Sequence, residues 1–381
     1  MSPTVAVEPW SSLTDEDWAR VSVGTDIYGT RSWILAGEPH RSFEPSPLVA
    51  RDGEGRVCGL LPAWWYNGEG SPTYDYARLF GHGTVANLHN EPVLVLGSRA
   101  GYSSSVLAPD PAVREALVLA ADVLGRERAG WALLYGHRRT AALLVDALGD
   151  ATPEPLLCGA ETVIDADGGL PGYISRLPSK RRRAVRREIR TFAEAGLTVH
   201  REDPAHAPEH AALLVQNQER YGHNGDVGRA TNYLTGQVDL LGEQAVLWTC
   251  RVGGQDGTVV GFLYALRHDD VLYVRAIGFD YARLGDSFAY FNLGFYTPLS
   301  AAPELGVREL RLGVGGYQAK VRRGAHLDPR FGWVRLTDRD ADLAWREHAL
   351  QWSAGAAGEI FPGLEPADLR GLDAPGRVGT L

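Results

Sequence analysis

The apolar positions of this chain fall into short runs of two periods. Ser12-Leu13-Thr14-Asp15-Glu16-Asp17-Trp18 predicts a capped helix start, its carboxylates set in the first turn where free backbone N–H groups favour them. Residues 47–52 and 57–65 are apolar stretches on either side of Gly53-Glu54-Gly55, which predicts a β-hairpin. From 111 to 125, Val113, Ala116, Leu117, Ala120 and Val123 recur at helical spacing. Residues 131–135 then predict a strand and 140–148 another helix.

Residues 165–172, rich in Gly and Asp, predict a linker. Behind it the helix and strand signals return in similar order, without a residue-level repeat. A helix is expected over 179–195, with Ser179 as its N-cap, Gly196 as its stop and Val185, Ile189 and Phe192 as its apolar stripe. Its arginines form two rows, Arg182-Arg186-Arg190 and Arg183-Arg187. Residues 245–252, 258–266 and 271–278 predict a three-stranded meander, and a helix is expected from 285–287 towards Tyr296. A short strand at 310–312 runs into Gly313, Gly315 and Gly316, then Tyr317, Lys320, Arg322 and Arg323. Bare backbone beside a cation suits an anionic or carbonyl-bearing substrate, and equally a solvated surface turn. Residues 354–381 predict a loose tail.

Composition narrows the picture. At 381 residues the chain calls for two to three domains, and 44% apolar with 22% charged residues is ordinary for a globular protein. A net charge of −9 argues against coating nucleic acid through the whole surface. Cys58, Cys158 and Cys250 form no disulfide framework or metal spacing and are expected to be reduced. The first eight residues lack the pattern of a secretory leader, and no apolar run reaches the ~18 residues of a membrane span. A cytoplasmic location is expected.

Several segments, in order, resemble a known group. Residues 177–187, Leu-Pro-Ser-Lys-Arg-Arg-Arg-Ala-Val-Arg-Arg, resemble the basic helix that opens the C-terminal domain of FemAB-like and BioF2-like acyltransferases of the GNAT superfamily. Residues 259–262 and 273–280 are similar to their strand pair. Gly306-Val307-Arg308, Leu312-Gly313-Val314-Gly315, Tyr317, Lys320 and Arg323-Gly324 are similar to their closing motif. The resemblance covers roughly residues 170–335. It implies an α/β fold with mixed sheets and two tandem GNAT-like domains packed together: 1–168, a catalytic 169–340, and an extension over 341–381. It also implies an N-acyltransferase, at work in specialised metabolism, moving an acyl group from a thioester to an amine of a small molecule or peptide. The alternatives are an aminoacyl-tRNA-dependent aminoacyltransferase and, of another class, a non-catalytic ligand-binding protein.

The resemblance also implies roles. Lys320, Tyr317 and Arg275 are candidates for the reacting centre: Lys320 to stabilise the oxyanion or act as base, Tyr317 to position the acceptor or relay a proton. Their bland alternatives are a solvated lysine, a packing aromatic and a carboxylate-paired arginine. Ile277, Gly278, Arg283, Gly285, Asp286 and Ser287 are the donor-binding candidates. Asp286 suits a pyrophosphate poorly and could instead cap a helix, which weighs against a free CoA donor. Lys180, Arg182, Arg183, Arg186, Arg322 and Arg323 are candidates for binding phosphates, a carrier or tRNA; a solvated face is the alternative. His223, Asn224, His82, Asn87 and His89 would line the acceptor; a plain surface position is the alternative for His223. No histidine pair has a metal-ligand spacing, so no metal is expected. No tightly bound cofactor is expected either. Acyl-CoA, acyl-carrier phosphopantetheine or aminoacyl-tRNA would be the co-substrate. An acyl carrier protein is a candidate partner, and tRNA a less favoured one.

Overall fold

The computed structural model describes residues 3–35, 43–68, 74–81 and 91–361. It has the mixed α/β character expected from the sequence, in two compact units. The first comprises residues up to Ala160 together with those from Pro329 onward; the second is Glu161–Asp328. The first unit holds β1 (Thr4–Val7), β2 (Phe43–Pro45), β3 (Leu48–Arg51), β4 (Val57–Leu61), β5 (Ala63–Tyr66), β6 (Val93–Leu96) and β7 (Gly130–Gly136). The chain runs along β8 (Leu156–Asp165) into the second unit, which adds β9 (Leu197–Glu202), β10 (Ala245–Val252), β11 (Thr258–His268), β12 (Val271–Phe279) and β13 (Glu309–Arg311). It returns along β14 (His326–Leu336).

The units therefore part inside strands, at Ala160/Glu161 and Asp328/Pro329, not at 168/169 and 340/341. The Gly-rich stretch expected to be a linker is internal to the second unit: β8 ends at Asp165 and a helix begins at Gly169. The expected extension and tail also differ. A helix runs over Arg339–Ile360 and buries Trp345 and Ala349 in the first unit's core, beside Trp64, Tyr76 and Phe80.

In the first unit, the expected hairpin forms between β3 and β4 but stops at Leu61. Pro62 has no N–H to continue the ladder, so the apolar run 57–65 splits, and β5 pairs instead with β2 and β6. β6 and β7 are parallel, joined by a crossover containing the helix Pro111–Gly125.

The second unit carries the expected meander. β9, β10, β11 and β12 are successively antiparallel; β13 lies parallel to β12 and antiparallel to β8. Alternation along β11 divides the faces. Leu263 and Ala265 join a core with Val185, Phe192, Leu299 and Leu305 from the helices Ser179–Glu194 and Thr297–Leu305. Phe262 turns the other way, onto the His210 ring 5.5 Å off. On that side the helix Ala211–Arg220 comes so close to β12 that a Cβ on Gly278 would stand 2.4 Å from the Leu213 carbonyl carbon.

Candidate active site

β12 and β13 stay together for three residues only: Val271 opposite Glu309, Leu272 opposite Leu310 and Tyr273 opposite Arg311. The chain then leaves β12 and follows β8. Leu312 N–H donates to the Thr162 carbonyl at 2.8 Å, and Thr162 N–H to the Gly313 carbonyl at 3.1 Å. Residues 274–279 of β12 are left without a strand on that side among the described residues, and a wedge opens between them and residues 312–316. Across β11 the register slips between Tyr264 and Ala265, whose partners are Ala276 and Val274. Arg275 is the extra residue, half-buried in a β-bulge that re-aims its side chain.

Gly316, at φ 60°, turns the edge of the wedge into a short helix, Tyr317–Val321. Tyr317 is half-buried at its start. Lys320 is not a solvated lysine: it is 4% exposed. Its Nζ donates to the carbonyls of Leu312 at 2.7 Å and Gly313 at 3.4 Å, the residues where the wedge opens. Burial lowers its pKa to about 8, against the pull of the Glu161 carboxylate. Glu161 is itself fully buried, and the Arg311 guanidinium donates to it at 2.8 Å.

The donor loop follows β12. Ile277 is half-buried and faces Gly294 on a π-helical turn, Asn292–Tyr296. Gly278 makes room for the backbone of Leu213–Leu214 behind the strand. Arg283 is exposed and pairs with Asp280 at 3.1 Å. Gly285 and Asp286 are exposed, and Asp286 caps nothing: the cap position is Phe288, held at φ 58°. Between them Ser287 is 3% exposed, with no hydrogen-bond partner for its Oγ. Above Phe288 stands the Arg187 guanidinium, 5.9 Å from the ring centre.

The other candidates separate. Arg323 is not free for phosphate. Its Nη2 and Nε donate to the two Glu188 carboxylate oxygens at 2.9 and 3.2 Å, and its guanidinium stacks on Phe291. Arg322 is exposed. Lys180 and Arg183 are exposed and Arg182 half-buried; with Arg186, Arg182 and Arg183 line a groove of their own, apart from the wedge. Ser179 is the first helical residue and not the cap, which is Pro178. His223 and Asn224 are exposed in the turn after Arg220, whose guanidinium lies 4.2 Å from the Tyr281 ring centre beside the donor loop. His82, Asn87 and His89 lie outside the described residues.

Sequence reasoning assigned no role to Arg187, Glu161, Glu188 or Tyr264. Tyr264 lies on β11 opposite the bulge, fully buried, its hydroxyl without a hydrogen-bond partner. Burial, with Tyr233 nearby, raises its pKa, and Arg275 opposes the shift. In the first unit, Ser103, His137 and Asp26 form a grouping that invites comparison with a nucleophilic triad. Ser103 Oγ and Asp26 Oδ2 meet the same ring nitrogen, Nε2, at 2.8 and 3.5 Å, so no proton relay runs through the ring.

Residues 179–321 match the family model of the acetyltransferase (GNAT) domain, a stretch that takes in the basic helix, the wedge and Lys320. The match lies within the second unit, and it agrees with the GNAT resemblance of that stretch of sequence. No curated protein matches the chain. Among solved structures it is similar to FemX, at 12% identity and a TM-score of 0.59, over 88% of this chain and 98% of that one. It is also similar to a conserved protein of unknown function from Bacteroides thetaiotaomicron, at 16% identity and a TM-score of 0.50, over 76% and 86%. At such identities the likeness is one of fold. No helix among the described residues is long and apolar enough to cross a membrane.

Proposed function

We propose that the protein is an N-acyltransferase that seats a thioester donor in the wedge between β12 and residues 312–316. The parting of β12 and β13 after three paired residues carries this reading, because it exposes strand edges that a donor's amide-bearing arm can pair with. Free backbone N–H groups at the start of the helical run from Ala289, with the Ser287 hydroxyl, would receive the donor's phosphates. The acceptor amine attacks the thioester carbonyl, the C–S bond breaks, and the thiolate leaves with the proton the amine gives up. Lys320 acts as a positioning residue: charged, it holds the Leu312–Gly313 edge and keeps positive charge close to the developing oxyanion. The bulge residue Arg275 and Tyr317 border the acceptor side.

The test is incubation of the folded protein with acyl-CoA, acyl-carrier and aminoacyl-tRNA donors and a panel of amines. Transfer from a thioester donor is expected. Transfer from none would refute the reading. In the active pairing, kcat/KM should fall as pH rises through about 8 and Lys320 loses its proton, and Lys320→Arg should abolish that fall. A rate that instead rises through the same pH would make Lys320 a base. An aminoacyl ester of tRNA is the second donor reading, favoured by the cationic helix Ser179–Glu194 and opposed by the net charge of −9. Activity that survives RNase excludes it.

A further inference from the structure

The helix Ser179–Glu194 breaks a rule of helix electrostatics. Its N-terminus carries the positive end of the dipole, yet Lys180, Arg181, Arg182, Arg183, Arg186 and Arg187 crowd its first turns, and no acidic residue stands in the first turn. Its cap is a proline with no side chain to offer an acceptor. The helix's two carboxylates lie elsewhere: Glu188 is buried against Arg323, and Glu194 faces Arg190 at the far end. Arg182, Arg183 and Arg186 have no ion-pair partner among the described residues. Cations that repel one another and the helix they stand on are a local cost, and such costs are kept where something is bound.

These three arginines share a groove. With Ser179 they form one wall; Leu170, Pro171, Ile174 and Ser175, from the helix Gly169–Arg176, form the other. The groove is about 710 Å³, ample for one small molecule. We propose that it binds a phosphate-bearing small molecule. The phosphate would be gripped by Arg182, Arg183 and Arg186 at the helix N-terminus, and an apolar part would lie against Leu170, Pro171 and Ile174. Guanidinium forks match phosphate oxygens in pairs, and the dipole adds to them. The apolar wall favours a small ligand over a nucleic acid strand, whose backbone would leave that wall unused. The chain's net charge of −9 points the same way. None of the groove's lining residues belongs to the acyl-transfer wedge, and the test does not depend on transfer activity.

Inorganic pyrophosphate is the probe, titrated into the full chain at constant ionic strength with thermal unfolding and calorimetry as readouts. A saturable rise in Tm is expected, beyond that given by potassium chloride. An Arg182→Gln/Arg186→Gln variant should weaken binding by ~10-fold or more. It should also melt, ligand-free, at or above the wild-type Tm, because it sheds repulsion. Arg190→Gln, outside the groove, should bind as the wild type does. A shift no larger than that of chloride overturns the proposal, and so does full binding by the double variant. A single-stranded RNA dodecamer that binds more tightly than pyrophosphate, with a steep salt dependence through the same arginines, also overturns it by making the helix a nucleic acid track.

Discussion

Lys320 is charged where charge is unwelcome. Its pKa is about 8 in the fold, against 10.5 for an ordinary lysine. Between those values the unfolded chain binds the proton and the folded chain does not, so stability rises with pH across the window. Below about pH 8 the penalty is present in full; above 10.5 both states are neutral and it is gone. The window corresponds to about 3 kcal/mol at 1.36 kcal/mol per pH unit. Urea unfolding of wild type and Lys320→Met should therefore differ with pH, wild type gaining about 2 kcal/mol on the variant between pH 7 and pH 10. A constant difference would mean that Lys320 does not titrate in this range. None of this is visible in the residues around it. Ala319 and Val321 are exposed, and what buries Lys320 is the return of the helix onto Leu312 and Gly313.

At the scale of elements, one carboxylate fastens the basic helix to the π-helical turn and to the turn after Tyr317–Val321. Glu188, on the inner face of the basic helix, receives Arg323 through both oxygens, and the Tyr296 hydroxyl donates to it at 2.5 Å. Asn292 donates to the Glu188 carbonyl at 3.2 Å. Glu188→Ala would strand a buried guanidinium and is expected to cost about 3–5 kcal/mol, whereas Glu188→Leu with Arg323→Met should cost far less. Chemical denaturation of the two variants against the wild type measures both. Equal losses would show that packing, not the ion pair, dominates. The basic helix was legible because Val185 and Phe192 keep the helical period, and the meander because its strands are apolar runs between turns. β8 was not. Its residues include Glu161 and Thr162, both fully buried, and a carboxylate in the middle of a run argues against a core strand until Arg311 is known to meet it. The candidate site was legible as a set of motifs but not as a shape. The glycines at 313–316 marked the wedge's edge, yet nothing local told Lys320, buried behind it, from Arg322, exposed two residues on. Nor did it show that Arg323 was already taken.

The whole molecule sets the limits of its parts. Residues 179–321 match the GNAT family model, but the compact unit is Glu161–Asp328. A fragment of 179–321 lacks the stretch of β8 that pairs with β13, and with it Glu161; Asp328, another partner of Arg311, is missing too. Such a fragment is expected to unfold at lower denaturant than 161–328, or to aggregate, as circular dichroism and gel filtration would show. Equal stability would make the flanking strand dispensable.

The first unit is interrupted in sequence, and synthesis must respect that. β7 waits for β14, and the aromatic core at Trp64, Tyr76 and Phe80 waits for Trp345. All of Glu161–Asp328 emerges from the ribosome in between, on the order of ten to thirty seconds of elongation. The second unit can thus be finished while the older part of the chain is still open. Nascent first-unit strands would be exposed for that interval, so slowing translation after residue 160 should raise the demand for chaperones more than slowing it after 336.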